Sequence, residues 1–134
     1  MPAYCFRFNA RPAGIPREIG VTHFQEVAFV FNNVHGLGYA INPFLDKPQS
    51  YLDLSKLMSC SWASFVHDLD PNSFRNGAVG KQIAGKAAPW PMYGTGSGAQ
   101  NIVWDANVTS FAEPDAFRAA GIDLINKNSL LYLR

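Results

Sequence analysis

The sequence predicts an α/β fold, and three observations carry that prediction. Residues 3 to 8 alternate, with Tyr4, Phe6 and Phe8 on one face and Ala3, Cys5 and Arg7 on the other, which is the period of a half-buried strand. A stripe of apolar residues, Leu54, Leu57, Met58, Trp62, Phe65 and Val66, then recurs at helical spacing. Ile102-Val103-Trp104 is a second, shorter strand candidate beyond it.

The connecting segments follow from their punctuation. Pro12, Gly14, Pro16 and Gly20 make residues 10 to 20 a loop. Thr22 is a good helix N-cap; with Gln25 it approximates a capping box, and Phe24, Val27, Ala28 and Phe31 follow at helical spacing. The pattern therefore predicts a helix opening at Thr22 and stopped by Asn32-Asn33, Gly36 and Gly38. Residues 32 to 49, with Pro43 and Pro48, read as a long connection. Ser50-x-x-Asp53 marks the start of the main helix and Asp70-Pro71-Asn72 its end. Gly77, Gly80, Gly85 and Pro89 make residues 73 to 99 loop-like. Within them, Gly94-Thr95-Gly96-Ser97-Gly98 lacks both the preceding strand and the Gly-Lys-Ser/Thr of a phosphate-binding loop, so it reads as a surface turn. Pro114 suits the first turn of a last helix that carries Phe117, Ala120, Leu124 and Ile125 on one side.

Composition narrows the function classes. The 134 residues read as one domain, 1–134, and 48% hydrophobic with 13% aromatic content belongs to a core-forming sequence. A formal net charge of +1, without basic or acidic runs, gives no electrostatic case for nucleic acid or an anionic membrane as partner. No apolar run reaches about 18 residues, so no transmembrane helix is expected. No basic-then-apolar segment opens the chain, so no signal peptide is expected either. Cys5 and Cys60 allow one bridge that their spacing does not demand, and a buried free thiol is the commoner outcome in such elements. Asn107-Val108-Thr109 is an N-glycosylation sequon and fits a surface turn in a secreted protein. There are no internal repeats and no low-complexity tract.

The stretch that carries chemistry is Gly20-Val21-Thr22-His23-Phe24-Gln25-Glu26-Val27-Ala28-Phe29-Val30-Phe31. It resembles the catalytic-histidine segment of type-B carboxylesterases, the group that includes cholinesterases and fungal extracellular lipases. The form H-F-x-E-V-A-F-V-F is most similar to the fungal branch. Trp62-x-x-Phe65 followed by Asp70-Pro71-Asn72 resembles the end of the long helix after that segment. Trp90-Pro91-Met92-Tyr93 resembles the family's W-P-x-Y, and Glu113-Pro114-Asp115-x-Phe117-Arg118-x-x-Gly121-Ile122 its C-terminal helix. The resemblance covers nearly the whole chain but only the last quarter or so of a typical member. It implies the C-terminal fragment of an α/β-hydrolase fold: one sheet strand, the catalytic-histidine loop and covering helices, with an incomplete sheet. Many relatives carry Gly directly after the histidine, where this chain has Phe24.

Such an enzyme needs a base that titrates near working pH, and imidazole alone does so unperturbed. The resemblance makes His23 the general base and acid of a serine esterase acting through an acyl-serine intermediate, with a small-molecule or lipid ester as substrate, no cofactor and a secreted parent. If His23 opens a helix, the positive end of the macrodipole opposes imidazolium formation and favours a neutral ring at rest. Glu26, three positions on and so on roughly the same helix side, is expected to cap the turn or brace the histidine loop. Two other triad members are missing. No G-x-S-x-G elbow occurs; Ser97 is flanked wrongly, Ser55, Ser59 and Ser61 lie on the main helix, and Glu18 is too close to His23 to be the family's acid.

Two further readings compete. A non-catalytic cholinesterase-like adhesion module has no use for a retained base. A metal site from His23, Glu26, His35 and His67 conflicts with ligand spacing, since His-x-x-Glu lacks the second adjacent histidine and His35 falls beyond a glycine break. A strand at 3 to 8 with only residues 102 to 104 to pair with leaves apolar area exposed, so the isolated chain is expected to be aggregation-prone or molten.

Overall fold

The alternation at the start of the chain becomes strand β1, Cys5–Phe8. The computed structural model describes residues 2–96 and 98–132. After β1 come α1 (Val27–Val30), α2 (Gln49–Asp68), α3 (Ala78–Ala84), β2 (Gln100–Trp104), β3 (Phe111–Pro114) and α4 (Ala119–Lys127). Single 3₁₀ turns occupy Ser73–Asn76 and Ser129–Tyr132.

β1 runs parallel to β2, with Phe6 opposite Ile102 and Phe8 opposite Trp104, and β2 runs antiparallel to β3. The sheet order is β1-β2-β3. A parallel pair requires a crossover, and the segment containing α2 supplies it. This is an α/β fold with a small, incomplete sheet. The expectation that β1 has little to pair with is corrected: β2 is five residues long and β3 extends the ladder.

Three other local expectations give way to tertiary structure. Pro114 closes β3 instead of opening a helix, and α4 begins only at Ala119. The cause is an ion pair: Arg7 Nε and Nη2 donate to the Glu113 carboxylate at 2.6 and 2.9 Å, tying Phe111–Pro114 into the sheet across β2. Residues 73–84 are a 3₁₀ turn and a helix instead of loop. Gly80 acts there as a packing residue, because a Cβ at that position would sit 1.8 Å from the Phe74 carbonyl oxygen. Val66, placed on the core stripe of α2 by spacing, is 80% exposed, and the small residues Ser55, Ser61 and Ser64 are buried on the helix instead. Each serine satisfies its hydroxyl by bonding a backbone carbonyl, of Phe29, Leu57 and Asp70 respectively.

α2 and the sheet meet through aromatic rings. Leu54, Leu57 and Met58 are buried, and Trp62 and Phe65 continue the stripe toward β1. Trp90 enters this layer from the loop after α3. Its ring lies 4.6 Å from Trp62, 5.3 Å from Trp104, 5.9 Å from Phe6 and 6.1 Å from Tyr4, mostly in edge-on geometry. Its Nε1 donates to the Cys5 carbonyl at 2.8 Å. Asn72 holds the Trp90 backbone from both sides, Oδ1 accepting its N–H at 2.7 Å and Nδ2 donating to its carbonyl at 2.9 Å. α2 itself ends at Asp68, and the next residue, Leu69, adopts φ 58° and donates to the Phe65 carbonyl. Cys5 and Cys60 are both free thiols.

Trp90→Ala should lower unfolding free energy by about 3–5 kcal/mol, the range for emptying an aromatic core position. Trp90→Phe keeps most of the packing but leaves the Cys5 carbonyl without its donor, so its cost should be smaller. Urea unfolding followed by near-ultraviolet dichroism measures both; equal losses would mean that the ring volume is not what holds α2 to the sheet.

Candidate active site

The His23 loop is fixed at both ends. At its start, the Asn9 N–H donates to the Trp104 carbonyl at 2.8 Å, extending the β1 ladder, and Asn9 Nδ2 donates to Asp105 Oδ2 at 2.7 Å. Ala10 and Pro12 are buried, Arg11 Nη1 donates to the Ile15 carbonyl, and the Ala13 N–H donates to the Pro43 carbonyl at 2.8 Å. At its end, Phe29 on α1 is fully buried against Phe44, Phe8 and Tyr51, with centroids 4.6, 5.0 and 6.1 Å away. Ser55 on α2 donates to the Phe29 carbonyl at 3.1 Å. The loop thus leaves the end of β1 and returns to the core through Phe29, with His23 exposed between the two anchors.

The helix expected to open at Thr22 does not start there. It is a single turn, Val27–Val30, with Glu26 as its N-cap residue. Phe24 has φ 73°, a left-handed conformation that no α-helix accommodates, so the helical spacing of Phe24 is broken at its first member. Thr22 Oγ1 accepts from Gln25 Nε2 at 2.9 Å instead of capping a backbone N–H. The electrostatic argument changes with it. A one-turn helix starting four residues after His23 presents no helix dipole to the ring, whose effect is confined to the first turn.

Among the described residues, neither the His23 ring nor the Glu26 carboxylate has a hydrogen-bond partner, and the nearest ring to His23 is Phe24, 6.2 Å away. Glu26 contributes through its backbone: its carbonyl accepts from the Phe29 and Val30 N–H groups at 2.9 and 3.0 Å, fixing the turn into α1. Large apolar side chains stay exposed on this segment and the next loop, among them Ile19, Phe24, Phe31, Leu37 and Ile41.

The other histidines lie apart from this loop's chemistry. His35 is exposed. His67, at the end of α2, bonds Asp68 Oδ1 through Nδ1 at 2.5 Å, while Ser73 donates to the other oxygen of Asp68. The grouping contains Ser, His and Asp but in the wrong order for catalysis. The serine meets the carboxylate instead of the imidazole, so no base activates it. Those two hydrogen bonds, from Ser73 first and then His67, hold the Asp68 carboxyl below the usual range. No group of three or more His, Cys, Asp or Glu is placed to hold a metal among the described residues. Ser97 lies outside the described residues.

The fold is shared with solved enzymes. The chain superposes on the Geobacillus stearothermophilus carboxylesterase EST55, in its structure at pH 6.8, with a TM-score of 0.60 and 29% identity over 87% of this chain. The structure of that enzyme at pH 6.2 matches with the same score and 27% identity. The fold therefore matches part of the α/β-hydrolase fold of carboxylesterases. A structure described as PNB esterase shares the fold at a TM-score of 0.56 and 21% identity, over 89% of the chain. The chain spans about a fifth of the length of these enzymes. Neither a protein-family model nor a curated protein sequence matches it.

Phe24 stands in a conformation that glycine adopts at no steric cost, and it is 60% exposed, so its side chain gives little burial in return. A bulky residue held there costs on the order of 1–3 kcal/mol. Phe24→Gly should therefore leave stability unchanged or raise it by about 1 kcal/mol despite the entropy of glycine in the unfolded chain. A drop in the unfolding free energy from urea titration of more than about 1 kcal/mol would show that Phe24 does not hold a left-handed backbone.

Proposed function

We propose that this chain supplies the catalytic histidine, His23, of a serine carboxylesterase of the type-B kind, most similar to its fungal members. The observation that carries the reading is the strand–loop–histidine–helix succession from β1 to α1, in a chain whose fold matches EST55 over most of its length. In this role His23 Nε2 takes the proton of the serine hydroxyl as that oxygen attacks the ester carbonyl, then returns it to the leaving alcohol. It next deprotonates a water that attacks the acyl-serine, and gives that proton back to the serine. An exposed ring without a competing partner, on a loop pinned by Ala10, Pro12 and Phe29, is suited to receive a nucleophile and an orienting acid from elsewhere. Glu26 supports the loop through its carbonyl at the start of α1. Phe24 beside the histidine adds bulk where many relatives have none, and would narrow the space on one side of the ester.

Alone, the chain should not hydrolyse short acyl esters. Loss of the nucleophile removes most of a triad enzyme's rate, and the oxyanion donors are missing as well. Turnover of p-nitrophenyl acetate faster than by free imidazole at equal concentration, and lost in His23→Ala, would contradict this.

In the complete enzyme, His23→Ala should cut ester hydrolysis by roughly 10⁴-fold or more with folding intact, because both half-reactions use the same base. Glu26→Gln should cost far less. A His23→Ala loss below about tenfold would assign the proton transfer to another group.

A further inference from the structure

The turn joining β2 to β3 holds the start of the His23 loop through Asp105, and it also carries a feature that ester hydrolysis does not use. Asp105 anchors it from within: the residue is buried, its Oδ2 accepts from Asn9 Nδ2, and its Oδ1 accepts the Asn107 backbone N–H, both at 2.7 Å. Ser110 closes the other side, its Oγ accepting the Asp105 N–H at 3.3 Å. Between these anchors Asn107, Val108 and Thr109 are all exposed, and the Asn107 side-chain amide has no hydrogen-bond partner among the described residues. This triplet is the only Asn-x-Ser/Thr in the sequence. Beside it a cleft of about 770 Å³ opens between α2, α3 and the turn. Its walls include Asn107 and Thr109 themselves, together with Asp53, Lys56, Gln82 and Lys86.

We infer that Asn107 is an acceptor for N-linked glycosylation and that the adjoining cleft seats the first sugars of the glycan. The turn presents the acceptor amide to solvent with the backbone on either side held by buried Asp105 and Ser110. A transferase can therefore engage the triplet without unfolding the sheet. In the transfer, the Asn107 amide nitrogen attacks C1 of an oligosaccharide carried on a lipid pyrophosphate. An N–C1 bond forms, the C1–O bond to the pyrophosphate breaks, the amide loses one proton and the lipid pyrophosphate departs. The cleft then offers Lys56, Gln82 and Lys86 as donors, and Asp53 as an acceptor, to sugar hydroxyls and acetamido groups. Its volume falls within the roughly 300–1,000 Å³ of small-molecule sites. The inference stands apart from the esterase reading, since no residue of the turn or cleft is on the His23 loop.

The test expresses the whole chain behind a secretory leader in yeast and reads the leader-processed protein, in medium and cell fractions, on denaturing gels with and without peptide N-glycosidase. Attachment is thereby scored independently of folding. A mobility shift removed by the glycosidase, with aspartate left at 107 in the peptide mass spectrum, is expected. It should vanish in Asn107→Gln and Thr109→Ala and persist in Thr109→Ser. Leader-processed chain with no shift overturns the acceptor assignment. For the cleft, Lys56→Ala combined with Lys86→Ala should lower the thermal midpoint of the glycosylated chain and leave that of the Asn107→Gln chain unchanged. An equal change in both, or no change in either, overturns the seating of the sugars.

Discussion

The insertion of Trp90 between α2 and the sheet is the constraint on which the rest of the molecule depends. One residue from an otherwise irregular loop touches β1, β2 and α2 through rings of Phe6, Trp104 and Trp62. Aromatic pairs of this kind contribute about 0.5–1.5 kcal/mol each beyond the area they bury. The indole also solves a hydrogen-bonding problem, giving its N–H to the Cys5 carbonyl. The indole of Trp104, equally central, has no partner for its Nε1 among the described residues and is held by packing. Asn72, from the turn that ends α2, then locks the Trp90 backbone in place. The Asp-Pro-Asn turn and the Trp-Pro-x-Tyr segment are therefore two halves of one device.

The two faces of the sheet are built on different physics. Toward α2 it is aromatic and aliphatic. Away from α2, Arg7 and Glu113 reach across β2 above Val103, which is fully buried, and the Arg7 guanidinium lies 4.4 Å from the centre of the Phe117 ring. Beside them Asp115 accepts from Tyr93 and from Asn101 at 2.7 and 2.9 Å. Those two bonds, the Tyr93 one first, hold the Asp115 carboxyl below its ordinary value, and the same contact raises the Tyr93 phenol. α4, which follows β3, buries none of its residues, and it is polar pairing that covers this face. The Tyr93–Asp115 bond is exposed, so solvent screening keeps its contribution small, whereas the Arg7 and Glu113 side chains are only 21% and 18% exposed.

The histidine loop follows a different rule: it is anchored at its ends and free at its middle. Buried Pro12 and Phe29 hold the two ends, and the left-handed Phe24 turns the chain directly after His23. The proposed role of His23, to meet a nucleophile carried elsewhere, calls for this combination of fixed position and unoccupied nitrogen atoms. A longer helix from Thr22 would have buried one side of the ring's surroundings and imposed a dipole on it.

What the sequence determined by itself is local or periodic. The alternation of Tyr4, Phe6 and Phe8 determined β1, the stripe from Leu54 to Phe65 determined α2, and the wording around His23 marked a candidate base between them. These signals are complete within a few residues, because each depends only on side chains that neighbour one another along a strand or helix. Tertiary structure decided the rest. Glu113 joins the sheet through Arg7, 106 positions away, and no pattern in Phe111–Pro114 announces such a partner. Position 80 in α3 takes glycine because the Phe74 carbonyl comes too close for any Cβ, a fact of packing that reads in sequence as a helix breaker. The helix pattern from Thr22 was real in spacing and failed in backbone. The loop before it and the buried Phe29 after it force Phe24 into a left-handed turn, and a conformation set by both ends of a closed loop is not written in the residues between them.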